Sequence, residues 1–450
     1  MPEAPAAPQE SRVTRWLTRA HPGVFSAYAI IAAFSTYFCM YAFRKPFTAG
    51  TFTGLDVELP LLPPINLKEF LVVSQVIGYM LSKFIGIKVV SEMSGARRGF
   101  TIVALIVFAE ASLGMFAITP HPYSAIFLFL NGIPLGMVWG LVYGFLEGRR
   151  VSEILGAGLS ASYIVASGVV KTIGRWVMVD WGVSEQAMPV VVGLLFFPAM
   201  LVFVWLLTHM PKPTAEDEAM RTRREPMDRA RRTRFLKAYW PGLLALTALY
   251  FFLTAYRSVR DDFAVNIWNS LGYSGQPEIM SVSELPVAAG VLIALAFLYR
   301  IRSNRTALVA VHLLMAFGTA LVGLATLGHA AGLIGPAAWM ILVGLGLYLA
   351  YVPFGCMLFD RLIAAVGFVA TAGFMIYVTD AVGYLGYVIV VFFKDFASPE
   401  LSWLEFFHAF SYVTAVICTV SFAFSTWYFW RVTRDPTVPI GRMGREIAPG

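Results

Sequence analysis

Long uninterrupted apolar segments are the feature that most restricts how this chain can fold. A helix needs about 20 apolar residues to cross the hydrocarbon core of a bilayer. With 58% hydrophobic and 14% charged residues, the chain has too little polar surface for a water-facing globule, in which about 25% of residues are charged. We therefore predict an all-α membrane protein with twelve spans, near 24–46, 67–89, 99–118, 124–146, 156–177, 188–207, 240–260, 280–299, 306–327, 333–358, 363–392 and 406–430.

A polar segment and a short repeat divide the chain into two halves. The segment YFCMYAFR (37–44) closes the first span, and YFFLTAYR (250–257) closes the seventh. Tyr37 then corresponds to Tyr250, and Arg44 to Arg257. Such a repeat predicts two pseudo-symmetric six-helix bundles. The predicted units are a cytoplasmic N-terminal tail (1–22), a first bundle (23–209), a cytoplasmic linker (210–238), a second bundle (239–431) and a cytoplasmic C-terminal tail (432–450).

The basic residues predict the orientation of the chain. Cytoplasmic loops of membrane proteins carry an excess of Lys and Arg, and a cytoplasmic N-terminus places most of the 34 basic residues on that side. Both termini are then cytoplasmic, in a plasma membrane or a bacterial inner membrane. The net charge of +7 reflects this topology and does not indicate nucleic-acid binding. We expect a monomer in contact with membrane lipid.

No motif in the sequence indicates catalysis, a metal or a cofactor. Cys39, Cys356 and Cys418 each fall inside an apolar segment, and the six histidines form no pair at a ligand spacing. The sequence contains no phosphate-binding loop, nucleophile elbow or zinc-protease motif. We therefore expect neither an enzyme nor an ATP-driven pump.

Charged residues inside the spans are the candidates for function, because burial at membrane depth costs about 2.5–3.5 kcal/mol per charge on insertion scales. Internal pairing of these cations and acids leaves a surplus of about two positive charges, which fits a doubly charged anionic substrate. The cations are Arg44, Lys45, Lys83, Lys171, Arg175, Arg257 and Arg260, and the acids are Glu110, Asp261, Asp262, Glu284 and Asp380.

Arg44 and Arg257 are the leading candidates for substrate binding. Their matched positions place them across a shared central axis, and a guanidinium binds phosphate or carboxylate in a bidentate manner. Lys83 lies well inside the second span, so it is either a ligand in a central cavity or a lysine that snorkels to the interface or pairs with an acid. Lys45 follows Arg44 on the helix and should point elsewhere. Asp262 is placed to orient a cation or to close a gate.

Two acids are candidates for proton coupling. Glu110 and Asp380 are each isolated among apolar residues, and burial disfavours the charged form of a carboxyl group. Either one could therefore carry a proton during transport. The alternative is a neutral, hydrogen-bonded carboxyl group or an internal partner for one of the cations.

Small residues in the fourth and fifth spans predict close helix packing. In the fourth span glycine recurs every four residues, which removes the side chains from one helix face. The fifth span contains small residues at similar intervals. The positions are Gly132, Gly136, Gly140, Gly144 and Gly148, followed by Gly156, Ser160 and Gly168.

Four short segments resemble one family of transporters. YAFRKPF in the first span is similar to the arginine–lysine motif of the organophosphate:phosphate antiporters, a branch of the major facilitator superfamily that includes glycerol-3-phosphate and hexose-phosphate transporters. YMLSKFIG, LFLNGIPLGMVWG and YRSVRDDF resemble the motifs of its second, fourth and seventh spans. The order and the spans agree, although the fifth-span segment SASYIVASG lacks the histidine of that family. The chain thus resembles a divergent member.

The resemblance implies a fold, a site and an activity. The fold is the twelve-helix major facilitator fold. The site is a central phosphate site formed by Arg44 and Arg257, helped by Lys83 and supported by Lys45 and Asp262. The implied activity is secondary transport of a small anionic solute, such as an organic phosphate or phosphate, by alternating access. The alternatives are a proton-coupled symporter of a carboxylate or neutral solute, and a non-transporting sensor on the same fold.

Overall fold

A computed structural model of the full chain describes residues 11–58, 63–93, 95–147, 149, 151–214, 217, 229–366 and 372–434. Residues 1–10 and 435–450 of the predicted tails lie outside these residues, as do 215–216 and 218–228 of the predicted linker and Gly148. The helices are α1 (Arg12–Arg19), α2 (Pro22–Tyr41), α3 (Leu67–Glu92), α4 (Gly95–Ile118), α5 (Ala125–Leu146), α6 (Ser152–Trp181), α7 (Met188–Thr208), α8 (Arg229–Asp262), α9 (Ala264–Ser270), α10 (Ile279–Val282), α11 (Glu284–Tyr299), α12 (Asn304–Ala330), α13 (Pro336–Cys356), α14 (Leu358–Val366), α15 (Ala372–Ala397) and α16 (Trp403–Arg434).

Eleven of the described helices are long and apolar enough to cross a membrane. They correspond to every predicted span except the eleventh, whose place is taken by α15. Large apolar side chains cover the outside of the bundle, and Leu194, Phe297 and Leu324 are each more than half exposed. An apolar surface of this extent is unfavourable in water and suits contact with lipid chains. The chain is therefore a multi-pass integral membrane protein.

Two predicted span boundaries are wrong, each for a local reason. The first span ends at Tyr41 and not near residue 46, so Arg44 and Lys45 lie in a turn before the 3₁₀ turn Pro46–Ala49. Proline lacks an N–H group and restricts the residue before it, so a helix ends readily at this point. The eleventh span begins at 372, because residues 363–366 belong to the separate helix α14.

The six span helices of each half pack in the same pattern. In the first half α3 packs on α5, α4 packs on α5 and α7, and α2 packs on α6 and α7. In the second half α11 packs on α13, α12 packs on α13 and α16, and α8 packs on α15 and α16. Each of these contacts in the first half therefore has its counterpart six spans later. This correspondence is the pseudo-two-fold symmetry that the repeat predicted.

The interface between the halves obeys the same symmetry. The second span, α3, packs on the eleventh, α15, and the fifth span, α6, packs on the eighth, α11. Ion pairs cross this interface at both ends. Lys45 pairs with Asp261 at 2.8 Å on the predicted outer side, and Arg361 pairs with Glu153 at 2.9 Å on the predicted cytoplasmic side. The centre of the molecule thus lies between two sets of contacts.

Glycines in the fourth span allow a close helix approach, as predicted, although the neighbouring helix is the second span. A Cβ atom on Gly132 would lie 2.2 Å from the carbonyl oxygen of Gln75 and 2.8 Å from the backbone nitrogen of Tyr79. Gly78 makes the reciprocal approach from α3, where a Cβ atom would lie 2.1 Å from the carbonyl oxygen of Phe129. Gly168 of the fifth span instead faces the carbonyl oxygen of Met280 in the other half.

We predict that Gly132→Ala destabilises the protein. The added methyl group would force α3 and α5 apart, and overpacking of this kind costs about 1–3 kcal/mol. The midpoint of thermal denaturation, measured on purified protein in detergent, should fall. Gly114→Ala in α4 is the matched control, because nothing lies within 4 Å of its Cβ position and alanine favours the helix. Equal midpoints for the two variants would contradict this account of the packing.

Candidate functional site

A cavity lies between the two halves at the centre of the bundle, with an empty volume of about 480 Å³. Both halves contribute to its wall, and seven of the lining residues are tyrosines. The wall also contains three cations and one acid. The lining residues are Tyr37, Tyr41, Arg44, Tyr79, Lys83, Trp139, Tyr163, Tyr250, Arg257, Tyr351, Gly355, Ile376, Asp380 and Tyr384.

The two arginines of the cavity are buried without a counter-charge. Arg44 and Arg257 are 3% and 4% exposed, and neither lies within 4.0 Å of a carboxylate oxygen of the described residues. The Nε atom of each has no hydrogen-bond partner among those residues. Two positive charges therefore face the same cavity and are available to an anion.

Tyrosine rings support both guanidinium groups. The Cζ atom of Arg44 lies 3.7 Å from the centre of the Tyr79 ring, and that of Arg257 lies 4.9 Å from the centre of the Tyr351 ring. The hydroxyl of Tyr384 accepts a long hydrogen bond of 3.5 Å from Arg257. An aromatic face stabilises a cation without consuming its N–H donors. The arginines are thus held in place while their donors stay available.

Two amide side chains hold the backbone that carries Arg44. Because α2 ends at Tyr41, carbonyl oxygens in the following turn need other donors. Asn131 donates to the carbonyl oxygen of Phe43 at 3.0 Å, and Gln75 donates to that of Arg44 at 2.9 Å. Gln75 also donates to the side-chain oxygen of Asn131 at 2.8 Å. The close packing of α3 and α5 brings these amides together and so fixes the position of Arg44.

Lys83 and Asp380 form an ion pair across the cavity. The Nζ atom of Lys83 in α3 lies 3.1 Å from Oδ2 of Asp380 in α15, so the pair joins the two halves. Tyr250 donates its hydroxyl hydrogen to Oδ1 of Asp380 at 2.6 Å, and the hydroxyl oxygens of Tyr250 and Tyr351 lie 2.9 Å apart. Both alternatives that the sequence left open for Lys83 therefore apply, since it lines the cavity and is also paired with an acid.

The structure pairs most of the remaining membrane-depth charges outside this cavity. Among the described residues, Arg44, Arg257 and Arg175 are the cations left without an ion pair, and Glu110 is the unpaired acid. Arg175 lies near the end of α6. The two arginines of the cavity correspond to the surplus that the sequence predicted. The pairs are Lys45 with Asp261 and Asp262, Lys83 with Asp380, Lys171 with Asp261, and Arg260 with Glu284.

Two residues predicted to bind substrate lie outside the wall of the cavity. Lys45 and Asp262 pair with each other across the interface between the halves, and Tyr387 donates to the second carboxylate oxygen of Asp262 at 2.8 Å. Lys45 points away from Arg44 because the two residues are neighbours in a turn. A direct contact of either residue with a substrate stays a prediction, while their position suits a contact that closes the predicted outer side.

Glu110 also lies outside the cavity. Its carboxylate packs against α7, where a Cβ atom on Gly193 would lie 2.0 Å from Oε2. Neither carboxylate oxygen has a hydrogen-bond partner among the described residues. The two candidates for proton coupling thus have different surroundings: Asp380 faces the cavity and Glu110 faces a helix of its own half.

The sequence did not single out the tyrosines and amides of the site, although part of the signal was present. Tyr37 and Tyr250 each precede the arginine of their repeat by seven residues, and in α8 this spacing places Tyr250 and Arg257 on one helix face. Tyr79 and Lys83 show the same relation at a spacing of four residues. Gln75 and Asn131 gave no comparable signal, because their role depends on where α2 ends.

Within the described residues, no group of three or more His, Cys, Asp or Glu side chains could hold a metal ion. The three cysteines are buried as free thiols. The arrangement of the site instead suits a small soluble anion. Its cations could bind that anion, its tyrosines could contact an organic body, and its ion pair could respond to a change in charge.

The comparisons agree with the architecture described above. The crystal structure of a D-xylose–proton symporter matches 94% of this chain and 99% of that chain, with a TM-score of 0.59 and 13% sequence identity. At this identity the likeness concerns the fold alone, and the chain has the all-α major facilitator fold. Residues 46–432 match a family of unknown function, DUF5690, and the chain belongs to that family. The search of curated proteins found no match. The organophosphate assignment stays a prediction.

We predict that Asn131→Leu and Gln75→Leu each lower the thermal denaturation midpoint. Each leaves a buried carbonyl oxygen without its donor, which costs about 1–3 kcal/mol. Because the two amides also bond to each other, the double variant should lose less than the sum of the single losses. Ser112→Ala is the control, since that buried hydroxyl bonds within its own helix, to the carbonyl oxygen of Phe108. Strictly additive losses would show that the amides act independently.

Proposed function

We propose that the protein is a secondary transporter of a small organic anion with two negative charges. The observation that carries this proposal is the pair Arg44 and Arg257, buried in one central cavity without a carboxylate partner among the described residues. A buried charge without a partner is costly, whereas a bound anion removes that cost. The cavity therefore favours a ligand that brings the missing negative charges.

The chemistry of the wall narrows the choice of anion. Guanidinium groups bind phosphate and carboxylate through two parallel hydrogen bonds, and a phosphate monoester carries close to two charges near neutral pH. The tyrosines offer ring faces and hydroxyl groups to an organic body. An organic phosphate satisfies each of these conditions, and it is also the cargo that the sequence resemblance implies.

The position of the cavity supports transport by alternating access. The cavity lies at the interface of two pseudo-symmetric halves, and ion pairs cross that interface on both sides of it. Opening one set of contacts at a time would expose the cavity to one side of the membrane. An anion held by one arginine from each half would then move with the rocking of the halves.

The orientation and surroundings follow from the sequence. We propose a plasma membrane or bacterial inner membrane location with both termini in the cytoplasm, because the basic residues gather on that side. The protein would work as a monomer surrounded by lipid, without a catalytic step, and the two halves would act as the moving domains 23–209 and 239–431.

We predict that Arg44→Ala and Arg257→Ala each weaken anion binding about thirtyfold or more. Removing one partner of a buried charge pair costs about 2 kcal/mol at least, which corresponds to that factor. The measurement is thermal stabilisation of purified protein titrated with glycerol 3-phosphate, inorganic phosphate and succinate. Arg300→Ala is the control, because Arg300 is an exposed arginine at the end of α11.

Two results would overturn parts of this proposal. An absence of stabilisation by all three anions, or equal stabilisation of the two arginine variants and the wild type, would remove the anion site. Binding without flux in reconstituted vesicles, tested as uptake and as exchange, would remove transport and leave the sensor alternative.

A proton-coupled mechanism is the second candidate, and the environment of Asp380 favours it. Asp380 is a titratable acid in the cavity and joins the two halves through Lys83. Protonation would break that pair and so link proton binding to the movement of the halves. The fold is shared with a protein named a D-xylose–proton symporter. Glu110 is the weaker candidate because it does not face the cavity.

We predict that Asp380→Asn abolishes any dependence of uptake on a pH gradient, because asparagine cannot bind and release the proton. Uptake into vesicles with and without an imposed gradient measures this dependence. Glu110→Gln is the matched control and should keep it. If Glu110→Gln loses the dependence on the pH gradient while Asp380→Asn keeps it, the proton binds at Glu110 in the first half and not at Asp380. If wild-type uptake does not depend on the gradient, the proton-coupled candidate is excluded and anion transport without proton coupling remains.

A further inference from the structure

A second cavity lies beside the central one, with an empty volume of about 330 Å³. Lys171 and Ser167 of α6 line it from the first half. Arg260, Asp261 and Glu284 line it from the second half, together with Trp268 and Tyr348. It therefore also lies at the interface between the halves, and its wall contains both signs of charge.

The two cavities follow one another along the same three helices. In α8 Arg257 lines the central cavity, and Arg260, one turn later, lines the second. In α13 the corresponding pair is Tyr351 and Tyr348. In α6 Tyr163 lines the central cavity and Ser167 lines the second, again at a spacing of about one turn. The second cavity is thus displaced toward the predicted outer side.

The Arg260–Glu284 pair in this cavity is incompletely satisfied. Nη1 of Arg260 lies 2.8 Å from Oε1 of Glu284, and Nη2 donates to the carbonyl oxygen of Met340 at 3.1 Å. Nε of Arg260 and Oε2 of Glu284 have no hydrogen-bond partner among the described residues. The two residues are 5% and 8% exposed. Two residues that line the cavity therefore carry a buried donor and a buried acceptor, both unused among the described residues.

These two atoms define the kind of ligand that the cavity would take. The donor of Arg260 requires an anionic or other acceptor oxygen, and the acceptor of Glu284 requires a hydroxyl or amino hydrogen. Asp261 is already occupied, because Lys45 and Lys171 pair with it. A plain dianion could use only Arg260 and would be repelled by Glu284. A hydroxylated anion could satisfy both atoms at once.

We propose that the second cavity is an outer binding station for the transported solute, selective for organic anions that carry a hydroxyl group. This inference rests on the proposed function and extends it to a substrate class. An anion at Arg260 would be one helical turn from Arg257. The outer station has its cations paired with acids, whereas the central arginines are unpaired. A solute would therefore bind more weakly at the outer station and move inward to the stronger site.

Two tryptophans make the stations separable by experiment. Trp268 lines the second cavity and Trp139 lines the central one. Changes in intrinsic fluorescence that disappear in Trp268→Phe report the outer station, and those that disappear in Trp139→Phe report the centre. The probes are glycerol 3-phosphate and propyl phosphate, which share the phosphate group and differ in two hydroxyl groups. The full chain is titrated with each.

The decisive titration uses the double variant Arg44→Ala and Arg257→Ala, in which the central site is removed. Glycerol 3-phosphate should still change the Trp268 signal, at a concentration at least tenfold lower than propyl phosphate requires. The paired substitution R260Q with E284Q should abolish this response. It removes both members of the pair together, so neither is left as an unpaired charge, and its denaturation midpoint checks that the protein is folded.

Each outcome bears on one claim. No Trp268-dependent response to either ester, in the wild type or the double variant, means a water-filled cavity and overturns the outer station. Equal affinity for the two esters overturns the hydroxyl selectivity. A Trp139 response that needs Arg44 and Arg257, without any Trp268 response, leaves the proposed function standing alone. If neither ester changes the fluorescence of Trp139 or Trp268, both proposals are contradicted.

Discussion

A positive charge inside a membrane protein needs a negative partner or water, and this requirement organises the centre of the molecule. Four of the membrane-depth cations meet carboxylates, and all four pairs lie at or near the interface between the halves. Arg44 and Arg257 are the exceptions in the cavity. Burial of a charge costs about 2.5–3.5 kcal/mol even on the lower scales. A fold that keeps two such charges unpaired therefore needs an interaction that offsets this cost. A bound anion is the simplest account.

The two arginines occupy matched positions but depend on different supports. Arg257 lies within the part of α8 that follows the kink at Tyr239, and this part runs on to Asp262. Arg44 lies beyond the end of α2 in a turn before Pro46, and Gln75 and Asn131 hold its backbone. The longer helix of the second half therefore carries acids past the cavity, and the turn of the first half carries Lys45 to meet them. Small departures from symmetry thus produce the ion pairs that close the predicted outer side.

The sequence predicted the architecture well because that information is local. Apolar length places the spans, and the repeat that matches Arg44 with Arg257 predicts the two halves. The boundary near Pro46 was missed because apolar residues continue past the end of the helix, although the proline itself was visible. The partners of the charges could not be predicted: nothing local shows that Lys83 meets Asp380, 297 positions later, or that Glu110 faces Gly193. Those contacts depend on how helices that are far apart in the sequence pack against each other.

The same electrostatics bear on how two conformations could be close in energy. A buried ion pair contributes little net stability, because the desolvation of its members offsets most of their attraction. Pairs such as Lys45–Asp261 and Glu153–Arg361 can therefore exchange their partner for water at a modest net cost. A bound anion would act differently. It would compensate the charges of Arg44 and Arg257, which have no carboxylate partner in the cavity. The interface pairs would then determine which side of the cavity is closed. The ligand would stabilise the conformations through which one closed side exchanges for the other, as alternating access requires.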